Sequence, residues 1–173
     1  MRKVEMDAIE AIKTRRSVRQ FQNKPIPRDI LEALVDSGRY AATARNVQPW
    51  EFVVITDGET LKKIASLTGE NGSFIANAAG CIAVYSNTDT KYYLEDGSAA
   101  TQNILVAAAS LGIGSCWVAG DKKPYCPEVS YLLKVPIGYK LISLVALGYP
   151  VGKDVLKIAE KRSLKESLHW EKF

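Results

Sequence analysis

Apolar residues recur at three- and four-residue spacing in some stretches and in short unbroken runs in others, and the two patterns alternate along the chain. Met6, Ile9 and Ile12 follow an acidic start, which predicts a short helix over residues 6–14 running into a basic cluster. A loop with Pro25 and Pro27 interrupts. Asp29 then sits in the first turn of an amphipathic helix whose stripe is Ile30, Leu31, Leu34 and Val35, ending near Gly38. Residues 51–56, β-branched and aromatic and bounded by Asp57-Gly58, predict a strand and a turn; a charged helix over 60–67 follows.

Residues 80–85 predict a second, buried strand. Residues 97–111 carry the strongest helix signal, with Ile104, Ala107, Ala108 and Leu111 on one face and Leu105, Val106 and Ala109 on the other. A helix apolar on nearly every side belongs at the centre of a fold. Gly112 stops it, and a third strand over 115–119, a surface helix over 127–133 and a fourth strand over 141–147 complete a mixed order without internal repeat. Beyond Pro150 the chain still carries Val151, Val155, Leu156, Ile158, Leu164, Leu168, Trp170 and Phe173. That apolar tail either folds back on its own core or packs on a second copy of the chain.

At 173 residues the chain predicts one domain, residues 1–173. Hydrophobic residues at 47% and charged residues at 24% exclude the disordered and low-complexity classes. A net charge of +4 is mildly basic, well short of a protein that coats nucleic acid. Cys81, Cys116 and Cys126 match neither a zinc pattern nor Cys-x-x-Cys, and an odd, sparse count argues against a secreted disulfide scaffold. The first twenty residues lack the apolar stretch of a signal peptide, and no run approaches the roughly 20 residues that span a bilayer. The expected compartment is the cytoplasm, with no membrane partner.

Only one histidine, His169, is present, so no His-x-x-x-His zinc helix exists and a Ser-His-Asp triad would have to use that residue without a G-x-S-x-G turn. Cys116 reads more simply as a small buried strand residue than as a nucleophile. The Gly112-Ile113-Gly114 segment follows a helix and has Trp117 where a dinucleotide fingerprint needs its third glycine. No phosphate-loop motif occurs.

Two constellations remain. Arg15, Arg16, Ser17 and Arg19 gather three guanidinium groups and a hydroxyl at the end of the first helix, either as a solvated basic helix end or as a phosphate site. Asn46 and Gln48 precede a proline-fixed strand entry at Pro49-Trp50, where amides either satisfy local backbone or read the edge of a heterocycle.

Together the motifs resemble the nitroreductase-like flavoproteins, FMN-dependent homodimeric reductases. Residues 12–21 resemble the family's opening I-x-x-R-R-S-V-R-x-F, and residues 43–52 its S-x-x-N-x-Q-P-W-x-F. Residues 96–117 resemble its D-x-G-x-A-x-Q-N helix running into G-L-G-x-C-W, and residues 161–171 its closing R-K-P-L-x-E-x-x-H-W-E. The chain departs from the pattern at Ala42 and Thr43, which replace a common Pro-Ser, and at Ala119, where some members have Glu.

The resemblance implies an α+β fold: a mainly antiparallel sheet of about four strands flanked by helices, with the tail 151–173 extending onto a partner subunit. It implies that Arg15, Arg16 and Ser17 hold the FMN phosphate and ribityl end, joined by Lys161 or Arg162, and that Arg19 reaches the flavin pyrimidine. Thr43, Ala44 and Asn46 would contact the flavin of the partner subunit, the backbone at Ala119 and Gly120 would lie near flavin N5, and Asn71 is a looser match. The implied activity is ping-pong transfer from NADH or NADPH to a nitroaromatic or quinone-like small molecule, with the cofactor doing the redox chemistry and no catalytic acid or base from the protein. The alternatives are a specialised flavin enzyme of the same fold, dehalogenase-like or azoline-oxidising, and a non-enzymatic basic module binding nucleic acid through Arg15, Arg16, Arg19 and a Lys157, Lys161, Lys165 face.

Overall fold

The computed structural model describes residues 6–152 and 160–173. Four strands, β1 (Trp50–Ile55), β2 (Gly80–Asn87), β3 (Gly114–Ala119) and β4 (Tyr139–Gly148), form one sheet in the order β1-β2-β4-β3, every neighbouring pair antiparallel. The two central strands are buried along nearly their whole length, which is why they read as continuous apolar runs.

Side chains of β2 alternate between the faces. Cys81, Ala83 and Tyr85 pack with Leu61 and Ile64 of α3 (Gly58–Thr68) and Val129 of α5 (Cys126–Leu132). Ile82 and Val84 pack with Leu31 and Leu34 of α2 (Arg28–Arg39) and with Ile104 and Leu105 of α4 (Tyr93–Ser110). A register shift between Val84 and Tyr85 lets Leu141 and Leu144 of β4 share one face although they are three residues apart. The result is a sheet between two helical layers.

Helix α4 begins a turn earlier than its sequence predicts, because Gly97 is a packing residue and not a boundary. A Cβ there would meet Ser86 Oγ at 2.6 Å and Ile142 Cγ1 at 2.7 Å, so glycine lets the helix lie directly on the sheet. Helix α1 (Ala8–Thr14) is capped by the Asp7 carboxylate and buries Ala11, while Ile9 and Ile12 of the expected stripe face outward. Among the described residues no helix is long and apolar enough to cross a membrane. Of the apolar tail, Leu164, Trp170 and Phe173 are exposed, His169 stacking on Phe173, whereas Val155, Leu156 and Ile158 lie outside the described residues.

Candidate functional site

Arg15 caps the C-terminal end of α1, and the chain then runs along the outer edge of β3. Ser17 bridges to Ser115, and the Val18 N–H donates to the Ser115 carbonyl at 2.9 Å. Farther on, Phe21 bridges to Pro150 and the Gln22 N–H donates to the Tyr149 carbonyl at 2.8 Å, so the basic segment is laced to one end of the β3–β4 pair, where β3 begins and β4 ends. Gly148 permits this, since a Cβ there would meet the Phe21 ring at 2.6 Å.

The lacing concentrates charge. Burial pushes the Cys116 thiol up from its ordinary range, while Arg19, the Ser17 side chain and Arg15, all close to it, pull the other way. Burial prevails, so Cys116 is a protonated thiol at neutral pH. Neither Arg15 nor Arg19 forms an ion pair with any described carboxylate. Arg16 donates to the Lys13 carbonyl at 2.8 Å and to that of Arg15 at 2.6 Å, which folds it against the helix end. Beside them lies a cleft of about 380 Å³ lined by Arg15, Arg16, Val18, Gly112, Gly114 and Ser115. The Arg19 guanidinium also lies 5.7 Å from the centre of the Phe74 ring, in the short turns that carry Asn71.

Ala119 and Gly120 stand at the far end of β3. The Gly120 N–H donates to the Ile142 carbonyl at 3.0 Å, so that amide is already engaged. In an antiparallel ladder this pairing makes Ala119 and Ser143 a non-hydrogen-bonded pair, and the Ala119 N–H points away from β4 on the open edge of the sheet. Gly120 itself is indispensable, because a Cβ would meet the Leu141 carbonyl oxygen at 2.5 Å.

Thr43, Ala44 and Asn46 lie elsewhere, in the loop before β1. Its anchor is Asp96, 6% exposed in the first turn of α4, which accepts from the Thr43 hydroxyl at 2.8 Å and from the Ala44 N–H at 3.4 Å. The anchor supports a costly backbone: Arg45, Asn46 and Gln48 all have φ between 53° and 55°. Gln48 donates its side-chain amide to Asn46 Oδ1 at 3.2 Å, presenting the two amides together. Since β1 and β3 are opposite edges of the sheet, three strand spacings or about 14 Å separate this loop's strand from the arginine cluster's. Lys161 and Arg162 are exposed on the tail, just before a capping box at Ser163, and Lys157 lies outside the described residues.

Against known proteins, the profile of the Nitroreductase family matches residues 12–80 and 66–149. The chain belongs to the nitroreductase family. An Archaeoglobus fulgidus relative, provisionally named an NADH dehydrogenase/NAD(P)H nitroreductase, is 33% identical over 96% of this chain and 99% of its own length. A solved structure of similar provisional name from Bacteroides thetaiotaomicron superposes with a TM-score of 0.89 at 27% identity, covering 96% of this chain and 98% of that one. An FMN-dependent nitroreductase of Clostridium difficile superposes at 0.88 with 26% identity, covering 95% and 99%. The nitroreductase fold expected from the motifs, α+β with one four-stranded antiparallel sheet, is the fold observed.

Sequence reasoning assigned no role to Asp96, although it stands in the motif, nor to Asp121, Tyr93, Tyr125 and Lys140, which surround the Ala119–Gly120 corner. No sequence pattern links those residues, which come from α4, β4 and the loop between β3 and α5.

Proposed function

We propose that the chain is an FMN-dependent NAD(P)H oxidoreductase that reduces nitroaromatic or quinone-like acceptors and works as a homodimer. The observation that carries the reading is the pair of guanidinium groups, Arg15 and Arg19, without carboxylate partners among the described residues, beside Ser17 on the edge of β3. Unneutralised cations together with a hydroxyl suit a phosphate monoester, and the outward Ala119 N–H at the other end of the strand suits an acceptor on a heterocycle. The donor set therefore fits FMN.

Arg15, Arg16 and Ser17 would hold the phosphate, with Lys161 or Arg162 from the tail. Arg19 would place positive charge at the pyrimidine end, with Asn71 nearby, and the main chain at Ala119 and Gly120 would face N5. Thr43, Ala44 and Asn46 would serve the partner's flavin, a role supported by their position on the opposite edge of the sheet from their own chain's arginines. When bound, FMN would supply two-electron redox chemistry between NADH or NADPH and the acceptor. The protein's share is to position and to supply charge, and the raised Cys116 thiol and exposed His169 have no step to perform.

Anaerobic mixing tests the reading. NADH or NADPH should bleach the visible absorption of the purified, FMN-loaded protein, and a quinone should restore it. A loaded protein that neither nicotinamide bleaches would contradict the proposed activity.

A further inference from the structure

The corner after β3 is held from every side. The Gly120 and Asp121 N–H groups donate to the Ile142 and Leu141 carbonyls at 3.0 and 2.6 Å, the Gly120 carbonyl accepts from the Lys123 N–H at 2.9 Å, and the Ala119 carbonyl accepts from the Tyr125 hydroxyl. These bonds engage the main-chain groups that face β4 and the outward Ala119 carbonyl, and leave the Ala119 N–H turned to the open edge. Asp121 meanwhile has a φ of 23°, a region that a non-glycine residue keeps only when its surroundings over-determine it.

The surroundings are a set of three side chains. The Asp121 carboxylate accepts from the Lys140 ammonium at 2.8 Å and from the Tyr93 hydroxyl at 3.2 Å, and the Lys140 ammonium lies 5.9 Å from the centre of the Tyr93 ring. The Asp121 side chain is only 11% exposed, whereas the Lys140 side chain reaches solvent at 40%, so the carboxylate is the sheltered partner of the pair. Lys140 is in β4 and Tyr93 is the first residue of α4, so the set ties the corner to the sheet and to the central helix at once.

We propose that Tyr93, Asp121 and Lys140 are positioning residues for the flavin, holding the Ala119 N–H in a fixed direction as a main-chain donor to the reactive edge of the ring. The proposal rests on the flavin reading above and assigns its N5 end a support that touches no ligand. The carboxylate's two partners fix the Asp121 torsion, the torsion fixes the corner, and the corner fixes the amide.

The variants are Asp121→Asn, which tolerates positive φ but gives up the ion pair, Lys140→Met, and the double substitution. Three measurements on each are the Kd for FMN, the visible spectrum of bound FMN, and the rate at which NADH bleaches it. The expected result is a Kd within about threefold of wild type, a displaced visible band, and bleaching slowed about fivefold, the size of one weakened hydrogen bond. The double variant should be no slower than the worse single one, since both remove the same pair. Protection of the Ala119 amide from hydrogen exchange on adding FMN should be lost in the variants and present in wild type. An unchanged band, rate and protection with FMN bound would overturn the proposal while leaving the proposed function intact. Parallel loss of thermal stability and FMN affinity would also overturn it, by showing a structural role alone. A wild-type protein that binds no FMN would overturn both.

Discussion

The Thr43 hydroxyl donates to the Asp96 carboxylate at 2.8 Å across 53 positions of sequence, fastening the loop before β1 to the first turn of α4. Three left-handed residues follow within five positions, so the fastening offsets local strain. Replacing Asp96 with Ala removes a buried acceptor from two donors and should destabilise the protein by about 1–3 kcal/mol. Urea denaturation reads this directly, and a midpoint equal to that of wild type would show that the loop holds itself.

The fold was legible because its apolar runs are long and its breakers sit where they should. Strand β1 was expected one residue late, β3 and β4 lacked only terminal residues, and the helices lay within a few residues of their final bounds. Gly97 misplaced the start of α4, because a glycine demanded by Ser86 and Ile142 looks the same in sequence as one that ends a helix. Ile9 and Ile12 gave α1 its periodicity yet face outward, since periodicity locates an apolar face without saying what covers it. The arginine cluster was legible as a run of adjacent residues. The Tyr93–Asp121–Lys140 set was not, because its members meet only through strand pairing and helix docking.

Alkaline pH should unfold the protein through its core. Burial pushes the Cys81 thiol from 9.0 up to about 12, and the Tyr85 hydroxyl from 10.0 up to about 12. Above pH 9 the unfolded chain loses a Cys81 proton that the folded chain retains, so the unfolding free energy falls as pH rises, by at most about 1.4 kcal/mol per pH unit for each such group. Below pH 9 neither group contributes. Stability curves between pH 7 and 10.5 should bend downward past 9, and Cys81→Ala should bend less; a flat wild-type curve would refute the assignment.

Cys116 and His169 should be dispensable for turnover. The thiol is held protonated by burial, and His169 stacks on Phe173 in an exposed tail. Steady-state assays of Cys116→Ser and His169→Gln with NADH and a quinone should stay within about tenfold of wild type, whereas loss of a general acid or base costs about 10²–10⁴-fold. A loss of that size with flavin still bound would reveal proton transfer or covalent chemistry by one of them.

The tail should act between chains. Trp170 is 76% exposed and Leu164 73% in a single chain, and covering such side chains fully contributes about 1.5–3 kcal/mol each. A chain ending at Pro150 should lose dimerisation and FMN together, because the same segment carries Lys161 and Arg162. Light scattering alongside flavin absorbance decides this. A folded, yellow monomer would place the complete site within one chain.

Titration of FMN into flavin-free protein, followed by fluorescence quenching for wild type and Arg15→Ala side by side, tests the flavin site itself. The expected result is one FMN per chain for wild type and a Kd at least about tenfold higher for the variant, the equivalent of one charge-assisted phosphate contact of about 1.5–3 kcal/mol. Equal dissociation constants, or no saturable binding by wild type, would contradict the account.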